Sequence, residues 1–104
     1  MSKYINLETA GGKSLSKTAC ALLLPLTLLS NKDNEIDRKA FVGVVNWIKD
    51  YRTWNKYWAE LVEKGVLIQV DKDIWMVSPH ECYSDGISHN ELINKWNEVR
   101  NATN

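Results

Sequence analysis

Residues 50–67, DYRTWNKYWAELVEKGVL, contain a helix start, a helix stop and a switch of hydrophobic period within eighteen positions. Asp50 carries a short acceptor side chain where the first free backbone N–H groups of a helix need one, and it reads as the N-cap. Beyond it Trp54, Tyr57, Trp58, Leu61 and Val62 recur at spacings of three and four, which draws one apolar stripe along a helix. Gly65 stops the helix, because glycine enters the left-handed conformation without steric cost, and Lys64 beside it suits the negative end of the helix dipole. The opposite face is basic and amide-bearing in its first two turns (Arg52, Asn55, Lys56) and acidic in its last two (Glu60, Glu63).

Upstream, the serines at 14 and 16 open a helix that runs to about residue 29, with Leu15, Ala19, Leu22, Leu23, Leu26 and Leu29 facing inward. Pro25 lies inside it and predicts a kink near 21–24, or two shorter pieces. NKDNE at 31–35 reads as a polar turn. Asp37 caps a second helix over 38–48, with Ala40, Phe41, Val44, Val45 and Ile48 inward, and a tight turn at Lys49 and Asp50 leads to the next helix. Downstream, residues 66–70 and 74–77 are β-rich runs around Asp71, Lys72 and Asp73 and predict a hairpin. Pro79 ends the second strand. HECYSDG, 80–86, reads as a loop. Ser88 with Glu91 forms a capping box for a last helix striped by Leu92, Ile93, Trp96 and Val99. The first dozen residues form an arm with weak strand character at Tyr4, Ile5 and Leu7, closed by Gly11 and Gly12. The expected organisation is an arm over 1–13, one domain over 14–87 and a terminal helix over 88–104. The class is mainly α with a small β-hairpin.

A chain of 104 residues supports one modest core and no multidomain enzyme. Thirteen basic and thirteen acidic side chains cancel, which argues against indiscriminate coating of nucleic acid. The charges are not evenly spread. Residues 1–56 hold nine Lys or Arg against five Asp or Glu, net +4, and residues 57–104 hold four against eight, net −4. Five tryptophans imply a core or an interface built on indoles. Cys20 and Cys82 lie far apart with no CxxC pair and no signal peptide, so reduced thiols in a cytoplasmic protein are expected. The apolar run 19–29 is well short of the roughly 20 residues a bilayer needs, so no membrane span is expected.

Chemistry-bearing patterns are few. GGKS at 11–14 fails as a phosphate loop, since the first glycine of GxxxxGK[ST] falls on Leu7. His80, Cys82 and His89 match no standard zinc spacing and supply three donors only. Cys82 lacks an evident base, Cys20 lies in an apolar helix, and the scattered carboxylates form no pair in an apolar setting. The reading is a protein that is not an enzyme and holds no metal or cofactor.

The order helix, helix, turn, helix, hairpin resembles the winged helix-turn-helix, here with an additional C-terminal helix. Against that superfamily's recognition segment, SxxTVxRxLxxLxxxGxL, this chain has Asp50, Thr53, Trp54, Lys56, Trp58, Leu61, Gly65 and Leu67 in register. A longer likeness, LVEKGVL, a hairpin, WMVSP at 75–79, Tyr83, Gly86 and a helix, is similar to the RepL type of plasmid and phage replication protein. Ser78 stands where that family prefers Asn, and Ile87 where it often has Asp. The resemblance implies sequence-specific binding of double-stranded DNA in replication initiation or maintenance, with recruitment of host replication or transcription proteins. A small transcriptional repressor and a protein-interaction module are the alternatives. A recognition helix enters the major groove by its N-terminal residues, so Arg52, Asn55 and Lys56 are expected on base edges, Tyr51 and Thr53 in support, and Lys49, Arg38, Lys39 and the wing's Lys72 on phosphates. A homodimer is expected, with Leu92, Trp96 and Val99 of the end helix, together with the Tyr4 to Leu7 arm, as its interface.

Overall fold

Two aspartates set the middle of the chain. Asp37 accepts from the backbone N–H of Lys39 and Ala40 at 2.9 and 3.4 Å, and Asp50 accepts from that of Arg52 at 3.0 Å. Each starts the helix expected of it. The computed structural model describes residues 3–5, 15–84 and 89–103, and of residues 3–5, 83, 84 and 103 it describes the backbone alone. In chain order the elements are β1 (Lys3–Ile5), α1 (Lys17–Ala21), α2 (Leu23–Leu29), β2 (Glu35–Asp37), α3 (Arg38–Val44), α4 (Tyr51–Glu63), β3 (Leu67–Gln69), β4 (Ile74–Val77), β5 (Cys82–Ser84) and α5 (His89–Thr103). The chain is mainly helical, with a small three-stranded antiparallel sheet.

The expected break at Pro25 takes the form of two helices that meet at Leu22. Pro25 falls in the first turn of α2, where its missing N–H costs no helical hydrogen bond. Thr27, buried in α2, donates its hydroxyl to the Leu23 carbonyl at 2.7 Å. The start of α1 is held from a distance: the Ser16 backbone N–H and hydroxyl both donate to the Glu60 carboxylate of α4, at 2.6 and 2.8 Å.

The sheet has the order β2-β4-β3. The hairpin β3–β4 is as expected, in the register Leu67↔Val77, Ile68↔Met76, Gln69↔Trp75. Gly65 takes φ 77° between α4 and β3, the left-handed conformation that made it the helix stop. On the other edge of β4 lies β2, with Ile36 opposite Trp75. This strand corrects the reading of 31–35 as a turn alone. It holds one apolar residue, Ile36, too few to show an alternation, and its pairing is decided by the backbone of β4. Asn34, at φ 59°, turns the chain into β2, and its side-chain amide donates to the carbonyls of Val77 and Cys82. The reading of 80–86 as a loop is likewise corrected. Cys82–Ser84 pairs antiparallel with Lys3–Ile5, so the weak strand of the arm has its partner here. Leu7, the 11–14 segment, Gly86, Ile87 and the Ser88 cap lie outside the described residues.

Helix α3 ends at Val44, four residues earlier than the periodicity suggests, and residues 45–50 form the connection to α4. Gly43 and three β-branched valines make these last turns poor helix. Val45 and Ile48 still reach the core from the connection, and the Trp54 indole donates to the Ile48 carbonyl at 3.1 Å. Ala40, Val44, Leu29 and Val62, all expected inward, are exposed. The main core joins Leu22, Leu23 and Leu26 of α1–α2, Ile36, Phe41, Val45, Ile48, then Trp54, Trp58 and Leu61 of α4, with Val66, Leu67, Val77 and Cys82. Met76, Leu92 and Trp96 form a second cluster that seats α5. Lys95 of α5 also reaches Glu35 at 3.6 Å and Asp33 at 3.9 Å across the start of β2.

Candidate nucleic-acid interface

Because Trp54, Trp58 and Leu61 are buried, the helical period turns Arg52, Asn55 and Lys56 to the other side of α4. Arg52 and Lys56 are exposed and Asn55 is half-buried. Lys56 places its ammonium 5.6 Å from the centroid of the Tyr57 ring. Tyr51, at the first helical position, is 73% exposed, the most of any large hydrophobic side chain described. Lys49 is exposed in the connection just before it. Thr53 is differently placed: its hydroxyl lies 3.4 Å from Asp50 Oδ2, so it reinforces the cap.

Arg38 is drawn into the fold. Its backbone N–H donates to the Asp73 carbonyl at 2.9 Å, its guanidinium sits 5.2 Å above the Trp58 ring, and Nη2 donates to Asn55 Oδ1 at 2.7 Å. Trp58 is 3% exposed, so this cation rests on a rigid platform. Lys39 pairs with Asp73 of the hairpin turn at 3.5 Å, an exposed contact that contributes little to stability. The same turn carries Lys72, whose carbonyl accepts from Gln69 Nε2 at 3.0 Å and whose ammonium is left to solvent. Arg38, Lys39, Tyr51, Trp54 and Asp73, with Val42, line one groove of about 340 Å³. The structure thus gathers the start of α3, the start of α4 and the hairpin turn on one side of the molecule.

The residues expected at a dimer interface are differently employed. Leu92 is fully buried and Trp96 is 3% exposed, both against Met76, and Val99 packs on the edge of that cluster. Little of them is left for a second copy to cover. Sequence reasoning passed over Trp47 as a surface residue, yet it is 52% exposed in the connection before α4. Its signal was present in WIKDYR, 47–52, where aromatic and basic side chains alternate around the cap Asp50.

Among the described residues no group of three His, Cys, Asp or Glu is placed to hold a metal. His80 faces solvent while Cys82 points into the core, which separates two of the three donors the sequence offered. Both cysteines are free thiols, and burial pushes the Cys82 thiol up to about 11. No helix among the described residues is long and apolar enough to cross a membrane. No family model, no curated protein and no solved structure matches the chain.

Proposed function

We propose that this protein is a winged helix-turn-helix that binds double-stranded DNA by sequence in the cytoplasm, with α3 and α4 as the helix pair, β3–β4 as the wing and β2 as the third strand. What carries the reading is the outer face at the start of α4: Arg52 and Lys56 exposed one turn apart, beside Asn55, with Lys49 before them and Lys72 on the hairpin turn. Arginine and lysine there match guanine and phosphate, and the positive end of the helix dipole adds to the attraction. In this reading the protein acts by occupying a site. The RepL-like segment that starts in β4 favours the origin of a plasmid or phage replicon, where the bound protein recruits host replication proteins. A transcriptional repressor has the same fold and face, and the position of its site distinguishes it.

Selection of bound sequences from a random duplex pool tests the reading. A single enriched motif is expected, whose affinity falls at least about tenfold in the double variant Arg52→Ala, Lys56→Ala at fixed salt. Unchanged affinity would show that α4 is not the reader. An interaction module is the second reading, favoured by the exposed Val44, Trp47 and Tyr51 and by zero net charge. Salt separates the two. Binding through several phosphates weakens steeply between low and physiological salt, whereas a protein–protein contact through these aromatics does not.

A further inference from the structure

We infer that Asn55 is preset as a hydrogen-bond donor and reads a guanine, with Arg38 as the residue that sets it; the inference rests on the duplex-DNA reading above. An asparagine amide is ambiguous by itself, since one end donates and the other accepts, and its bidentate partner in a major groove is adenine, which offers N7 as acceptor and N6–H as donor. Here the ambiguity is removed. The atom 2.7 Å from Arg38 Nη2 is the amide oxygen, because a guanidinium has donors only and cannot face an NH2 group. Arg38 in turn cannot swing away freely. Its backbone N–H is tied to Asp73 and its guanidinium lies over the buried Trp58 ring.

Two consequences follow for whatever meets this face. The oxygen that would accept from adenine N6–H is already accepting a charge-assisted bond, and a base amino group approaching it meets a cation. Polarisation by that bond also strengthens the N–H groups of Asn55 as donors. The pair therefore presents donors and positive charge to the groove, which suits a base edge with two acceptors. Guanine has that edge in N7 and O6, and adenine does not. Arg38 is a positioning residue in this account, and contact with the base falls to Asn55.

The test uses the full chain and the same random duplex pool, with the wild type, Asn55→Ala and Arg38→Met. Wild type is expected to enrich guanine at one position whose preference disappears in Asn55→Ala, and Arg38→Met, which frees the amide oxygen, is expected to shift that position toward adenine. A fold defect alone would weaken binding to all sequences and would not exchange one base for another. Adenine at the Asn55-dependent position in the wild type, retention of guanine by Arg38→Met, or an Asn55→Ala variant that changes no position would each overturn the inference while leaving duplex binding intact. Failure of every duplex to bind would instead remove the reading on which it rests. Should Arg38→Met not fold, substituting 7-deazaguanine at that position in the wild-type site removes one acceptor and nothing else. A loss of about five- to tenfold is expected, and an unchanged affinity overturns the inference.

Discussion

Single side chains far apart in sequence hold the ends of this fold. Glu60, solvated on α4, accepts two hydrogen bonds from Ser16, and the one from the backbone N–H is the main cause that lowers its pKa below the ordinary value of 4.5. A carboxylate with a depressed folded pKa stabilises the fold above the unfolded value, and that contribution is lost as pH falls through the depressed one. Glu60→Gln is therefore expected to cost about 0.5–1 kcal/mol at neutral pH, the discounted worth of an exposed charge-assisted bond. It should also flatten the decline of stability below pH 4.5, and urea titrations of both proteins from pH 7 to pH 3 measure the two effects. Cys82 makes the opposite case. Burial is the main cause that raises its thiol to about 11, so it stays protonated at neutral pH. Cys20, half-exposed on α1, should react with a maleimide well before Cys82, and denaturant should equalise the two rates. Equal rates in the native protein would contradict the burial of Cys82.

At the scale of elements, α3, α4 and β4 are locked by an aromatic cluster. Phe41 meets Trp54 edge-on at 5.6 Å and Trp58 at 6.0 Å, and Trp58 meets Trp75 edge-on at 5.4 Å. Trp58→Ala is expected to cost about 3–5 kcal/mol, a large share of the stability of a small domain. Trp58→Phe should cost less, since the indole N–H it removes has no hydrogen-bond partner among the described residues. Thermal unfolding ranks the two variants, and equal midpoints would deny the cluster its role. How much of this was legible in the sequence depends on where the information lay. α4 was readable end to end, because its cap, stripe and stopping glycine are all local. The hairpin was readable from its β-rich runs and polar turn. β2 and β5 were not, since each has three residues and its partner lies 37 or more positions away. The early end of α3 was hidden as well: its apolar spacing continues through Ile48, and Val45 and Ile48 belong to the core although the helix stops before them. The basic candidates on α4 were found where the period put them. The inward turn of Arg38 onto Asn55 and Trp58 depends on how two helices pack, which no spacing within one helix encodes.

At the scale of the molecule, a single α4 covers too few base pairs to choose one site in a genome, so a DNA-binding protein of this size is expected to act as a homodimer on half-sites about one helical turn apart. The end helix is a poor source for that contact, because Leu92 and Trp96 are already buried against Met76. A second copy is better served by exposed apolar side chains: Leu24 and Leu28, one turn apart on α2, are 55% and 61% exposed. Solitary exposed leucines are ordinary on a small protein, but two one turn apart on one helix face form a patch of the kind that pairs. Sedimentation at micromolar concentration is expected to give twice the chain mass, and Leu24→Glu with Leu28→Glu to give one chain mass with unchanged helical circular dichroism. Leu92→Ala should behave differently, losing about 2–5 kcal/mol of stability through the cavity it leaves while the folded fraction remains dimeric. A Leu92→Ala protein that is fully folded and monomeric would move the interface to α5. A wild type that sediments as one chain would remove the dimer, and the bound site selected from the duplex pool should then lack two-fold symmetry.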